Sequence, residues 1–340
     1  MGLARPWETR WPWLDSPPPY LLVQPLIRRE AVASSRIEGT IANVGQLLMF
    51  EGSAGSNEAT SDVREVANYV AALDYGLSRP TDRPLSLSSI REMHAILMRD
   101  ARGQTITRGA FRTRQNFIGR PGDTLANALF VLPPPTAVTE LLEDLLRYVA
   151  EPDDLSLLIR LAVAHYQFEV IHPFDDGNGR LGRLLLPLLL QDWGVLEQPL
   201  LHLSPFFERH RGDYLDGLLR VSQHGDWHGW ITFFLTAIET QANEGFTVSK
   251  RLRQLWDTYR SMLQSVGGSV NVIHVVDGLF AHPVVTAAAI VARLGVSDPT
   301  ARTIIARLEA EGIVSEVTGQ KRNRLYLATE IVRILDQPDI

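Results

Sequence analysis

Ile171-His172-Pro173-Phe174-Asp175-Asp176-Gly177-Asn178-Gly179-Arg180-Leu181-Gly182-Arg183 decides how this chain is read. The stretch gathers one imidazole, two carboxylates and two arginines around a glycine turn. An apolar run from Leu155 to Val170 precedes it and another, Leu184 to Leu190, follows. A short polar loop therefore lies between two helices that read as buried. Buried polar groups are costly unless they are paired or employed, so the loop is the first place to look for chemistry. Gly177-Asn178-Gly179 lets the backbone turn tightly and come close to a ligand. A helix starting near Asn178 aims its free N–H groups into that turn, which makes an anion site. Arg180 and Arg183 lie three apart on the first turn, and their guanidinium forks suit phosphate oxygens. Asp176 is an oxygen ligand beside the same anion, as Mg2+ held together with substrate phosphates requires. His172 takes a proton from a hydroxyl near neutral pH. These parts describe phosphate-ester transfer. The lysine and the longer glycine spacing of a Walker A loop are absent.

The stretch resembles the signature loop of the Fic (filamentation induced by cAMP) family, H-x-F-x-[D/E]-G-N-G-R-x-x-R. His172, Phe174, Asp176, Gly177, Asn178, Gly179, Arg180 and Arg183 occupy its fixed positions. The resemblance implies a protein adenylyltransferase that moves AMP from Mg2+–ATP to Tyr, Thr or Ser hydroxyls of target proteins and of itself. It implies His172 as the catalytic base and Asp176 as the metal ligand. It makes Gly177, Asn178, Gly179, Arg180, Leu181, Gly182 and Arg183 nucleotide-binding positions. Upstream, Ser34-Ser35-Arg36-Ile37-Glu38-Gly39 resembles the family's inhibitory motif, [S/T]-x-x-x-E-[G/N]. That implies Ser34, Glu38 and Gly39 as inhibitory positions, with Glu38 paired to Arg183 across the γ-phosphate site. Read from the helix alone, Glu38 opposes the macrodipole at a C-terminal end, and such a charge calls for a partner.

Composition narrows the alternatives. A chain of 340 residues holds two or three domains. Its net charge of −6 gives no general pull toward nucleic acid or an anionic membrane. The absence of cysteine excludes disulfides, thiolate metal sites and thiol catalysis. The first residues lack an apolar signal core, and the longest apolar run is too short to span a bilayer. A cytoplasmic protein without membrane partners is expected.

Taken in order, residues 1–24 are rich in Trp and Pro and read as an irregular arm. A helix begins after Pro25 and ends at Glu38, with Gly39 at its C-cap. Residues 50–62 are small and polar and predict a mobile surface loop. Helices follow over 61–78 and 87–100, the second capped by Ser86, Ser88 or Ser89, with His94 on its core face. Gly109 and Gly119 bracket a β-like segment, and Phe130-Val131-Leu132-Pro133-Pro134-Pro135 stops any helix. The pair reads as a hairpin over 107–119 and beyond. It resembles the Fic flap, which aligns a target segment by strand addition. That implies Asn116, Phe117, Ile118 and Gly119 beside the nucleotide and target, with Arg112 supporting structure. Helices over 136–150 and 155–170 lead into the signature loop. Pro187 should kink the helix after it or remove one hydrogen bond. Tyr214 resembles an adenine-side position, where an aromatic face stacks on a purine.

Beyond a connecting helix and linker, 246–268, the pattern changes. Two helices, 284–294 and 298–312, precede strands at 313–317 and 325–327. Asp298 caps the second helix, with Pro299 at its first position. This order reads as a winged helix-turn-helix, whose second helix presents Thr300, Arg302, Thr303 and Arg307 to a DNA groove. From 270 to 340, however, seven Lys/Arg meet eight Asp/Glu, too little positive charge for strong phosphate binding. Docking to protein or to a second copy is the competing role. The expectation is a mainly α fold. It comprises an N-terminal part, 1–100, a Fic-type helical catalytic core with a β-hairpin flap, 101–245, and a winged-helix domain, 269–340. ATP and Mg2+ are the ligands implied, with protein targets and a homodimer as partners. Two readings stand beside it: a Fic-type transferase or hydrolase that moves phosphate or removes AMP, and a nucleotide-sensing regulator binding DNA through 284–327.

Overall fold

Apolar residues at helical spacing, punctuated by glycine, proline and serine, fold here almost entirely as helix. The computed structural model describes residues 19–53, 60–80, 83–99, 107–119, 122–265 and 269–336. Four helices come first: α1 (Pro19–Ile37), α2 (Val44–Gly52), α3 (Ser61–Leu77) and α4 (Leu87–Leu97). A short antiparallel pair follows, β1 (Phe117–Ile118) and β2 (Phe130–Val131). Then come α5 (Val138–Ala150), α6 (Leu157–Ile171), α7 (Asn178–Asp192), α8 (Ser204–Arg209), α9 (Arg211–His224) and α10 (Trp227–Ser265). The C-terminal part contains α11 (Val270–Ala281), β3 (Val284–Val285), α12 (Ala287–Leu294), α13 (Asp298–Ala310), β4 (Ser315–Glu316), β5 (Tyr326–Leu327) and α14 (Thr329–Asp336). Its three strands lie in the order β3-β5-β4, all antiparallel.

The helix after the signature loop is the centre. Every residue from Leu181 to Leu190 in α7 is buried, because α3, α4 and α6 pack around it. Pro187 is contained inside this helix. Trp230 in α10 closes the core from the side and donates its indole N–H to the Ala162 carbonyl at 2.9 Å. Local rules set several ends. Asn43 and Gln46 form a capping box on α2, and Ser86 and Ser89 form one on α4.

Several boundaries differ from the sequence reading. The first helix starts at Pro19, so Pro25 lies inside it. Its missing N–H costs one bond, which burial of Pro25, Leu26 and Ile27 offsets. Residues 1–18 of the predicted arm, and 54–59 of the predicted loop, lie outside the described residues. The connecting helix expected from 246 is continuous with the residues before it, in one element of 39 residues, α10. The domain boundary at 245 therefore falls inside a helix roughly 58 Å long. Ser297, not Asp298, caps α13, because its hydroxyl receives the Thr300 N–H. The sequence reading does not anticipate α11 or α14. The segment Val270–Ala281 carries apolar residues at helical spacing, Val272, Val275, Val276 and Leu279, a stripe that the glycines at 267 and 268 set apart from the preceding helix. Both elements pack on α1 and α10. Among the described residues, no helix is long and apolar enough to cross a membrane.

Candidate active site

His172 ends α6 in the left-handed region, at φ 48. A non-glycine residue there costs on the order of 1–3 kcal/mol unless its surroundings hold it. Arg112 holds it: its Nε donates to the His172 carbonyl at 2.8 Å, and its Nη2 donates to Pro133 O at 2.7 Å and Ile171 O at 3.3 Å. The Arg112 N–H also donates to the Pro173 carbonyl at 2.9 Å. One arginine thus ties the approach to β1, the end of β2 and the signature loop together. His172 Nδ1 lies 3.2 Å from the Glu169 carbonyl. That carbonyl only accepts, so the ring proton is assigned to Nδ1 and the Nε2 lone pair stays free. Burial pushes the imidazole below its ordinary pKa and keeps it in the basic form.

The loop closes on itself through Asn178. Its Oδ1 receives the Phe174 N–H and its Nδ2 donates to the Phe174 carbonyl, both at 2.8 Å. Gly177, at φ 79, then turns the chain into α7, and no side chain caps that helix. Leu181 N–H is the first to bond within the helix, to Gly177 O. The N–H groups of Asn178, Gly179 and Arg180 therefore form the open end, with the positive end of the dipole behind them.

A carboxylate already lies against that end. A methyl group added at Gly179 would strike Glu38 Oε1. The same oxygen accepts from Arg183 Nη2 at 2.7 Å. Arg183, 1% exposed, also donates from Nε to Ser34 Oγ and from Nη2 to the Ser34 carbonyl, each at 2.9 Å. Gly39, at φ 95, follows α1 and bends the chain away directly after Glu38. Burial alone would push the Glu38 carboxyl up, but Arg183, with Arg180 and Arg211, outweighs it and holds the group below its usual range. Arg183 moves the opposite way: burial opposes its charge, and Glu38 more than restores it.

The structure sorts the remaining candidates. Asp176 accepts the Gly177 N–H at 2.6 Å through Oδ1, and its side chain is about half exposed. Among the described residues no cluster of three or more His, Asp or Glu stands ready to hold a metal alone. One open carboxylate suits Mg2+ that takes most of its ligands from phosphates and water. Arg180 does not project as a free fork beside Arg183. It is buried, 3.2 Å from Glu65 of α3 and 3.7 Å from Asp176. The side chains of Asn178 and Leu181 face inward, the first closing the loop and the second 0% exposed. Gly182 packs on Phe168 and Glu169, where a Cβ would collide. Of these three, only the Asn178 backbone N–H remains for a nucleotide. Tyr214 is corrected as well. Its ring is buried, stacked on Phe207 at 4.5 Å, with its hydroxyl 2.9 Å from His165 Nε2. No face is left to stack on a purine. In the flap, only Phe117 and Ile118 form strand, paired with Val131 and Phe130. The rest of 107–116 is irregular, because Arg112 draws that backbone onto the loop. Asn116 accepts the Leu132 N–H at 3.3 Å and continues the ladder, while Gly119 folds against Asp123.

Two residues that the sequence reading does not single out belong here. Glu65 sits on the apolar stripe of α3, and a charge on a core stripe is its only signal. Glu169 is buried one turn before His172, and its Oε1 finds no partner among the described residues. Burial pushes its carboxyl up to about 7.

Both the signature loop and the Glu38 segment lie within stretches that match a known family. The Fic/DOC family model covers residues 84–190, and the Fic/DOC family N-terminal model covers residues 13–78. The chain belongs to the Fic/DOC family. This Fic chain is 31% identical over 166 residues to protein adenylyltransferase fic-1 of Caenorhabditis elegans, covering 46% of this chain and 30% of that protein. It is 39% identical over 69 residues to probable protein adenylyltransferase aq_aa38 of Aquifex aeolicus, covering 20% and 22%. The chain thus spans less than a third of the length of these curated relatives. A Fic family protein from Desulfovibrio desulfuricans shares the fold with a TM-score of 0.56 at 21% identity, over 92% of this chain and 88% of that one.

Proposed function

We propose that this chain is a protein adenylyltransferase held idle by Glu38. One observation carries the reading: a carboxylate lies on Gly179 and Arg183 at the open N-terminus of α7, where the helix and the guanidinium together select an anion. Glu38 stands in for a phosphate group. When it withdraws, Arg183 and the N–H groups of Asn178, Gly179 and Arg180 receive the triphosphate of ATP. Mg2+, held by Asp176, supplies charge neutralisation to those phosphates. His172 Nε2 takes the proton from a Tyr, Thr or Ser hydroxyl of the target. The freed oxygen attacks the α-phosphorus, the bond to pyrophosphate breaks, and the proton stays on His172. Asn116, Phe117, Ile118 and Gly119 receive the target segment at the strand edge. The relatives named protein adenylyltransferases support this chemistry.

We read 269–336 as a winged helix from its helix, strand, helix pair and hairpin order. Docking, not DNA, is its role in this reading. Arg302 is occupied by Asp298 at 2.7 Å, Arg307 is half-buried, and α11 and α14 press on α1. A localisation in the cytoplasm fits the absence of cysteine.

Mass spectrometry after incubation with Mg2+–ATP tests the proposal. The Glu38→Gly protein should gain AMP on itself, far more than the native chain does. ATP labelled separately at the α and γ positions separates AMP transfer from phosphate transfer. A Glu38→Gly protein that binds ATP yet labels neither itself nor any protein of a lysate refutes the reading.

A further inference from the structure

We infer that His94 is a positioning residue that locks the nucleotide loop to the base of the flap. The inference rests on the adenylyl-transfer reading and adds to it a residue outside the signature loop. His94 projects from α4 and is 0% exposed. Its Nδ1 accepts the Gly109 N–H at 2.9 Å, and its Nε2 lies 3.0 Å from the Asp176 carbonyl. Gly109 N–H only donates and the carbonyl only accepts, so the ring carries its proton on Nε2 and both edges are satisfied at once. The ring face stacks on Phe174 at 3.7 Å with planes 4° apart. Its Cδ2 borders Gly177, where a Cβ would sit 3.6 Å away. One imidazole therefore touches Phe174, Asp176 and Gly177 on one side and the flap base on the other.

The flap base has no freedom of its own. Gly109 adopts φ 71, and Arg91 of α4 donates to its carbonyl at 2.6 Å. A side chain at Gly109 would meet the Arg91 carbonyl at 2.8 Å. Three residues on, Arg112 reaches the His172 carbonyl. From α4, then, His94 and Arg91 set where the flap leaves the core, and His94 sets where Asp176 and Gly177 lie. A transfer reaction needs the acceptor hydroxyl and the α-phosphorus in register, and displacement by about 1 Å costs on the order of a hundredfold in rate.

The two bonds can be cut separately. In the Glu38→Gly background, His94→Asn places an acceptor near Nδ1 and keeps Gly109. His94→Gln places a donor near Nε2 and keeps Asp176. The Gln variant should hold KM for ATP within about threefold while the maximal auto-modification rate falls about tenfold or more. The Asn variant should show the reverse, with KM for ATP raised about tenfold. Hydrogen exchange at the Gly109 amide should accelerate in the Gln variant and stay protected in the Asn variant. Equal changes of KM and rate in both variants, or unchanged Gly109 exchange in the Gln variant, overturns the assignment. If Glu38→Gly with native His94 transfers nothing, the adenylyl-transfer reading fails. Amide exchange, with calorimetric ATP binding, still decides the role of His94.

Discussion

His172 owes its usefulness to two neighbours that settle its backbone and its proton. Arg112 holds the left-handed turn, and the Glu169 carbonyl fixes the tautomer. In a Glu38→Gly background, His172→Ala should abolish AMP transfer while calorimetry finds ATP binding little changed, since the anion site is built from α7 and Arg183. Loss of binding in that variant would assign His172 to the cradle, not to the proton. Glu169 brings a pH dependence that lies outside the reaction. Burial raises its carboxyl from 4.5 to about 7, so the folded chain holds this proton more tightly than the unfolded chain. The corresponding stability is present below 4.5 and is lost as pH rises through 7. A shift of this size corresponds to about 3 kcal/mol at most. Glu38 acts in a separate window: its lowered carboxyl contributes above 4.5, and the contribution disappears as pH falls below that. Urea unfolding at pH 5 and pH 8 separates the effects. Burial lowers the imidazoles of His94, His165, His172 and His202, and these pull stability upward over the same range. Glu169→Gln should therefore make stability rise more from pH 5 to pH 8 than it does in the native chain, and a variant that keeps the native slope shows that Glu169 does not titrate there.

At the scale of elements, the end of α1 and the Glu38 that follows it form the latch of the proposed inhibition. Arg183 is held by the Ser34 hydroxyl, the Ser34 carbonyl and Glu38. Ser34→Ala removes one bond to a charged group, worth about 1.5–3 kcal/mol. The latch should then open roughly ten- to a hundredfold more often. Auto-modification, followed by mass spectrometry, should fall between the native chain and Glu38→Gly. A rate equal to the native one would leave Glu38 as the whole latch. This pairing is what the resemblance to the inhibitory motif implies, whereas the helix pattern by itself gives Glu38 no named partner. Side-chain direction is not legible in the amino-acid sequence. The signature loop includes Asn178, Leu181 and Gly182, but helix geometry turns the last two into the core and loop closure consumes the Asn178 amide. Tyr214 misleads for the same reason: an aromatic residue reads alike whether it faces a ligand or Phe207. His94 reads as a core histidine because its partners, Gly109 and Asp176, are backbone groups that no side-chain pattern reveals.

Across the whole molecule, the boundary expected at 245 is replaced by continuity. Along α10, Trp230, Phe234 and Ala237 are buried near one end and Leu252, Trp256 and Leu263 near the other. The first end packs on α6, α8 and α9, the second on α11 and α14. In parallel, α1 touches α3, α7 and α8 of the Fic part and α11 and α14 of the C-terminal part. Sequence patterning divides such a chain where composition changes, and it cannot see two helices shared by both halves. Sharing has an energetic consequence, because neither half can unfold without exposing apolar faces of α1 and α10. Calorimetry of the full chain should therefore show one cooperative transition. Trp256 offers the sharper test. Its indole N–H donates to Asp277 at 2.7 Å, and Arg260 lies 4.5 Å over its ring. Trp256→Ala should cost about 3–5 kcal/mol. It should lower the melting of the Fic part together with that of the C-terminal part, read by protection of the Leu181–Leu190 amides against exchange. A second transition, or loss of protection confined to residues beyond 265, would show that the two halves fold apart and that α11 and α14 do not brace the helix carrying Glu38.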